Sequence, residues 1–100
     1  MHYHMSEWFT PFSDGVVRIY SETTEDGWQV RKVHEFTSGQ TIKVGRWRKV
    51  SIKYKMGLSD QRSRPIDELN SDEYLKDKMK ASHITEDEFE SVWRKARYSW

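Results

Sequence analysis

Residues 40–56 carry the clearest pattern in the chain, because apolar and polar residues alternate there with a period of two. Such alternation is typical of a β-strand that buries one face. It stops at Gly45, which precedes the sequence Arg-Trp-Arg, so the pattern predicts a two-stranded β-hairpin with its tip at this point. The apolar face comprises Ile42, Val44, Val50, Ile52 and Tyr54, and the opposite face Lys43, Lys49, Ser51, Lys53 and Lys55.

Two further strands are predicted before the hairpin. Residues 16–21 and 28–36 are rich in β-branched and aromatic side chains, and polar turns separate them from each other and from the hairpin. Four strands joined by short turns predict an antiparallel meander over residues 16–56, with one face to be covered. Residues 1–15 are expected to form an irregular flap that packs on the sheet through its aromatic side chains, Trp8, Phe9 and Phe12.

After a polar loop at residues 57–64, the apolar residues recur with the period of a helix. Pro65 suits the start of a helical turn, and Ser71 can cap the first long helix. Thr85 and Glu88 have the spacing of a capping box and predict the start of the last helix. Residues 65–100 are therefore predicted to form a helical hairpin. The apolar stripe of its last helix comprises Phe89, Val92, Trp93, Ala96 and Trp100.

These elements predict an α+β fold, with residues 1–100 in a single domain. The four-stranded antiparallel meander comes first, and the C-terminal two-helix hairpin packs on one sheet face. The apolar face of the 40–56 hairpin is expected to lie beneath the helices, and its lysine face to stay in solvent. The helical residues expected to cover the sheet are Leu75, Met79, Phe89, Val92 and Trp93.

Residues 74–96 resemble the short C-terminal, or SHOCT-like, helical hairpin. Leu75 and Met79 take the leucine-type positions of its first helix, and Ile-Thr-Glu-Asp-Glu-Phe at residues 84–89 leads into its second. The sequence departs from that family where a glycine usually precedes the isoleucine, and again at Trp93 in a region that is usually lysine-rich. The resemblance implies a small packing or oligomerising appendage without catalytic activity.

The formal net charge of +1 conceals an uneven distribution of charge along the chain. Residues 39–64 hold eight basic residues against Asp60 alone, which gives this basic block a net charge of +7. Residues 65–90 hold nine acids and three lysines, a net charge of −6. The basic block is expected to meet an external polyanion, or to meet the acidic block within one monomer or across a homodimer.

The basic block points to nucleic acid, DNA or RNA, as the first candidate partner, because lysine and arginine neutralise phosphates. A two-stranded ribbon fits a major groove, and Trp47 is placed either to stack on a base or to fold back into the core. The lysines are also explained by protection of a sheet edge or by a protein partner. The predicted nucleic-acid-binding residues are Lys43, Arg46, Trp47, Arg48, Lys49, Lys53, Lys55, Arg62 and Arg64.

The sequence lacks the signatures of several other functions. It has no cysteine, no metal-ligand spacing and no phosphate-binding loop, so neither a cofactor nor a metal site is predicted. His34 and His83 stand in no motif of a nucleophilic enzyme, and a non-enzymatic protein is expected. No apolar run is long enough for a membrane span, and no secretory signal is evident, so a cytoplasmic location is expected.

Two functional hypotheses follow. The first is a small accessory or regulatory protein that binds nucleic acid through the basic hairpin. The second is a protein-interaction module or inhibitor of the phage type, which presents charged surfaces to a partner such as a nucleic-acid-handling host complex. The loss of affinity with salt distinguishes them, because phosphate contacts are far more sensitive to salt than an interface with an apolar core.

Overall fold

The computed structural model describes residues 1–99, which form a small α+β fold with a five-stranded antiparallel sheet and two helices. This confirms the predicted fold class at the coarse level. The elements in chain order are β1 (His2–Trp8), β2 (Val16–Thr23), β3 (Gln29–Phe36), β4 (Thr41–Gly45), β5 (Val50–Ser51), β6 (Met56–Gly57), α1 (Ile66–Ser71), β7 (Met79–His83) and α2 (Glu86–Lys95).

The main sheet has the strand order β4-β3-β2-β1-β7, and every neighbouring pair is antiparallel. Strands β2, β3 and β4 correspond to three of the predicted strands. The predicted four-stranded meander is nevertheless wrong in its strand count, because β1 and β7 lie in segments that were expected to be a flap and a helix. Strands β5 and β6 form a separate ladder of two residues each.

Strand β1 takes the place of most of the expected N-terminal flap. It pairs with β2 from His2 opposite Thr23 to Glu7 opposite Arg18, and with β7 on its other side. The sequence of β1 shows no strong alternation of apolar and polar residues. Its strand conformation therefore depends on the hydrogen bonds that two neighbouring strands supply rather than on its own pattern.

Strand β7 replaces the helix that was predicted through Leu75 and Met79. Met79 and Ala81 are buried, and the intervening Lys80 is exposed, which is the period of a strand with one buried face. Helix α1 ends at Ser71, the residue that was expected to cap a longer helix. The predicted helical hairpin over residues 65–100 is therefore wrong.

The two faces of the sheet bury different clusters. Val33 lies opposite Lys43, so the register places it on the face opposite to Ile42 and Val44. Helix α2 packs on the Val33 face, and residues of the 46–78 segment cover the other. The α2 cluster comprises Val33, Phe89, Trp93 and Ala96, and the second cluster Val16, Phe36, Ile42, Val44 and Met56. The prediction that α2 covers Ile42 and Val44 is wrong.

Helix α2 begins as the sequence predicts. The Glu88 backbone N–H donates to Thr85 Oγ1 at 3.1 Å, and the Thr85 N–H donates to Glu88 Oε1 at 3.0 Å, which completes the capping box. Phe89 and Trp93 of the predicted stripe are buried on the sheet. Trp100, the last residue of that stripe, lies outside the described residues.

The segment after α2 covers the outer edge of β4. The Lys43 N–H donates to the Arg97 carbonyl at 2.9 Å, and the Arg97 N–H donates to the Thr41 carbonyl at 3.2 Å. This pairing occupies the edge that the second strand of the 40–56 hairpin was expected to use, so residues 50–56 do not pair with β4. In the described part of the chain, no helix is long and apolar enough to cross a membrane.

Candidate nucleic-acid interface

Residues 46–55, here called the basic tip, leave the sheet through a tight turn. The Gly45 N–H donates to the Arg48 carbonyl at 2.7 Å, and the Arg48 N–H donates back to Gly45 at 3.2 Å. Gly45 has φ 127°, and a Cβ there would lie 2.9 Å from the Val30 carbonyl oxygen. Only glycine fits this close approach, and the turn that follows leaves Trp47 exposed beyond the body of the protein.

Trp47 is the most exposed large apolar side chain of the tip, with 88% of its surface accessible. Of the two placements that the sequence left open, the structure shows the exposed one. Val50 and Ile52, which were predicted to be core residues, are also exposed, by 51% and 75%. The alternation of apolar and polar residues could not show that these two side chains are exposed, because the same alternation occurs in a strand whose apolar face is buried.

The lysines of the tip do not form the single strand face that the alternation predicted. The Lys55 N–H donates to the Ile52 carbonyl at 3.2 Å, and Lys55 has φ 52°, so residues 52–55 make a turn. Lys49, Lys53 and Lys55 are exposed around this turn. No ion pair in residues 1–99 involves any of the three lysines. Their charges are therefore available to an external anion.

Lys43 does not belong to this surface. Its Nζ donates to the Trp93 carbonyl at 3.1 Å and lies 4.6 Å from the Trp93 ring and 5.0 Å from the Tyr98 ring. Burial, together with the nearby positive charges of Arg46 and Arg31, lowers the pKa of Lys43. The predicted role of Lys43 on a solvent-facing lysine face is therefore wrong, because the side chain holds the end of α2 against β4.

Arg46 and Arg48 flank Trp47 in different environments. Arg46 is exposed, and its guanidinium lies 5.9 Å from the Trp93 ring at the base of the tip. The positive charge of Arg46 also contributes to a lowered pKa of Glu90, whose main cause is a hydrogen bond from Arg31. Arg48 is half-buried, and its backbone closes the turn.

A buried ion pair anchors the base of the tip. Arg31, directly opposite Gly45, is 2% exposed and donates from Nε and a terminal nitrogen to the two carboxylate oxygens of Glu22, at 2.6 and 2.9 Å. The same guanidinium also pairs with Glu90 of α2. This network ties β2, β3 and α2 together directly beneath the point where the tip leaves the sheet.

Arg62 and Arg64 lie in different environments. Arg64 pairs with Glu68 and Asp72, each at 2.9 Å, so part of the basic block meets the acidic block within the monomer. Arg62 is exposed and lies 5.5 Å from the ring of Trp28, which is itself 41% exposed. Trp28 was expected to be an ordinary strand residue. No feature of its local sequence marked it as exposed.

Comparison with known proteins identifies a matching family. A family model described as a domain of unknown function (DUF6881) matches residues 2–98. No curated protein and no solved structure matches the chain. The family match spans both the sheet and α2 and includes no SHOCT-like segment, so the resemblance proposed for residues 74–96 is wrong. Its Ile-Thr-x-x-Glu-Phe string marks a strand followed by a capped helix.

Proposed function

Because the chain belongs to the DUF6881 domain family, whose description assigns no activity, we propose a function from the geometry of the basic tip. The protein is a small, non-enzymatic module that binds single-stranded nucleic acid, acting as an accessory or regulatory factor in the cytoplasm. The observation that carries this proposal is the exposure of Trp47 on a loop whose lysines have no acidic partner within residues 1–99.

The cations of the tip supply the affinity for phosphate. Arg46, Lys49, Lys53 and Lys55 are exposed within ten consecutive residues, and none of them forms an ion pair with the rest of the described chain. Like charges this close repel one another and do not help folding. A bound phosphate backbone removes that repulsion and releases its own counterions, which favours association.

Trp47 supplies a stacking surface. An aromatic ring stacked on a base contributes about 1–3 kcal/mol, with little dependence on the identity of the base. A side chain that is 88% exposed has both ring faces accessible, unlike a tryptophan in the core. We therefore propose little sequence preference.

A single strand suits this surface better than a duplex groove. Insertion into a major groove needs a continuous two-stranded ribbon, but β5 and β6 have only two residues each. Bases of a duplex are stacked on each other and are not accessible to Trp47. Unpaired bases are accessible, and flexible strands can follow the turn at residues 52–55.

The test is a titration of labelled single- and double-stranded DNA and RNA at low and moderate salt. Four phosphate contacts predict an affinity for single strands that falls about 50-fold between roughly 50 and 200 mM salt. The double variant Lys49→Glu/Lys53→Glu is expected to lose binding. The matched control Lys80→Glu/Lys95→Glu makes the same charge change at two exposed lysines that do not belong to the tip and is expected to bind more strongly than the test variant. No binding at about 50 mM salt would refute the proposal.

A second candidate function is supported by one specific observation, the exposure of Val50 and Ile52 close in sequence to Trp47. Apolar side chains exposed together are typical of protein-interaction surfaces. In this case the tip docks on a protein partner, or on a second copy of the chain, and the protein is an interaction module or inhibitor. Its binding is expected to fall far less with salt, and Ile52→Ser is expected to weaken it more than Lys53→Glu.

A further inference from the structure

Three of the four histidines of the chain lie on one face at one end of the sheet. His2 and His4 are two residues apart on β1, so their side chains point to the same face. His83 of β7 lies directly opposite His4 in the register. All three line a cleft of about 370 Å³ on the side of the protein away from α2.

His4 and His83 form the closer kind of antiparallel pair. The Ile84 N–H donates to the Tyr3 carbonyl, and the Phe9 N–H donates to the Lys78 carbonyl. Hydrogen-bonded and non-hydrogen-bonded pairs alternate along an antiparallel ladder, so His4–His83, next to the hydrogen-bonded pair Tyr3–Ile84, is a non-hydrogen-bonded pair. In such a pair the opposite Cα atoms are about 4.5 Å apart and the side chains lie next to each other. Two imidazoles in this relation can bind one ion, with His2 as a third donor.

The other groups of the cleft suit a cation. Glu25, Asp26 and Asp67 line it together with the histidines. Glu25 Oε2 lies 2.7 Å from His2 Nε2, which leaves His2 Nδ1 as the free ring nitrogen. A carboxylate on the second nitrogen of an imidazole is the usual support of a metal-binding histidine. The cleft also contains Arg64, whose charge is already met by two carboxylates.

We propose that this cleft binds a divalent transition-metal ion of the zinc class, held by the imidazoles of His2, His4 and His83. The donor set is typical of such ions, which prefer imidazole nitrogen and carboxylate oxygen in tetrahedral arrangements. Glu25 either supplies the fourth ligand or orients His2. The site lies apart from the basic tip and does not depend on the function proposed for it.

Binding of the metal must bring the three imidazoles together. Within residues 1–99, no group of three or more His, Cys, Asp or Glu side chains stands ready to hold a metal ion. His2 and His83 are exposed and His4 is half-buried, so the rings are free to change rotamer on a backbone that the sheet fixes.

The experiment uses the full chain without an affinity tag. Zinc is titrated against a chromogenic chelator, and cobalt is titrated in parallel because its visible absorption reports coordination geometry. We expect one zinc ion per chain with a dissociation constant of about 10 µM or tighter. His83→Ala is expected to weaken binding by about tenfold or more.

The matched control is Ser82→Ala, which changes the neighbouring residue on the opposite face of β7. It is expected to keep the wild-type affinity. The proposal is overturned if zinc does not bind at about 100 µM, or if His83→Ala and Ser82→Ala bind equally well. Loss of binding in His2→Ala but not in His83→Ala also overturns it, because the N-terminus alone would then hold the ion. His83 is exposed, so its variant is expected to fold, and circular dichroism checks this.

Discussion

The side-chain amide of Asn70 satisfies both backbone groups of Ala81 at the centre of the edge strand β7. Asn70 Nδ2 donates to the Ala81 carbonyl at 2.9 Å, and the Ala81 N–H donates to Asn70 Oδ1 at 2.8 Å. The amide thus takes the place of a peptide group in a sixth strand. Since an open edge is a template for association with another chain, Asn70 closes the sheet on this side.

Asn70→Ala is expected to destabilise the protein by about 1–2 kcal/mol, because two partly buried backbone groups lose their partner. It also reopens the edge of β7, so concentration-dependent self-association is expected. Urea unfolding measures the first effect, and analytical ultracentrifugation the second. Asn70→Asp keeps the acceptor for the Ala81 N–H but sets a carboxylate oxygen against the Ala81 carbonyl in place of the donor, so this variant is also expected to lose stability. Wild-type stability in both variants would contradict this account of the edge.

Arg31→Met is expected to cost about 3–5 kcal/mol in the free energy of unfolding, because it leaves the buried Glu22 carboxylate without its guanidinium. The double variant Arg31→Met/Glu22→Leu removes the stranded charge and is expected to lose less than the single variant. Both are measured by urea unfolding. A double variant as unstable as the single one would show that packing of Arg31 on the Phe89 ring matters more than the ion pair.

The imidazole of His34 is expected to make the stability of the fold sensitive to mild acid. Both ring nitrogens are buried without a hydrogen-bond partner in residues 1–99, and burial, followed by the charge of Lys32, lowers the pKa of His34 to about 4, while Asp14 opposes the shift. Below the ordinary pKa of histidine the unfolded chain binds a proton that the folded chain does not. Stability is therefore expected to fall by about 3 kcal/mol as the pH drops from 6.5 to 4.

The check is urea unfolding at several pH values for wild type and His34→Leu. The variant has no imidazole to protonate at this position, so its stability is expected to change less across that window. At neutral pH it is expected to be at least as stable as wild type, because it buries no unpartnered nitrogen. An unchanged pH profile in the variant would assign the effect to other groups.

Gly45→Ala is expected to destabilise the protein by about 2–3 kcal/mol, because the alanine Cβ would clash with the Val30 carbonyl. The alanine would also have to adopt a positive φ, which alanine avoids. Gly39→Ala is the matched control. Gly39 also has a positive φ, but a Cβ there would meet nothing within 4 Å, so only the backbone cost of about 1 kcal/mol is expected. Thermal unfolding of the two variants separates the loss of stability caused by the steric clash from the loss caused by the positive φ.

Lys43 and Lys49 are expected to have opposite effects, although the alternation placed both on one face. Lys43→Met should lower the free energy of unfolding by about 1 kcal/mol, through lost contacts with Trp93, and leave the affinity for single-stranded nucleic acid nearly unchanged. Lys49→Met should leave stability unchanged and weaken binding. Unfolding and binding titrations on the same two proteins test the pair, and a binding loss confined to Lys43→Met would contradict the proposed interface.

Features that depend on neighbours in the sequence were predictable from the sequence alone. The capping box of Thr85 and Glu88 and the buried Phe89 and Trp93 follow from contacts within one or two helical turns. Strands β2, β3 and β4 carry enough β-branched residues and turns to be recognised. The cationic nature of residues 46–55 is likewise a property of composition.

The pairing of distant segments was decided only by the tertiary structure. β1 and β7 are strands because each completes the hydrogen bonds of the other, across about 75 residues of chain. Residues 50–56 do not pair with β4 as the second strand of a hairpin, because Arg97 occupies the edge of β4 at Ile42. For the same reason Val50 and Ile52 are exposed, and Lys43 lies at the edge of the core rather than in solvent. A period of two describes which residues share a face, but only the partner strand determines whether that face is buried.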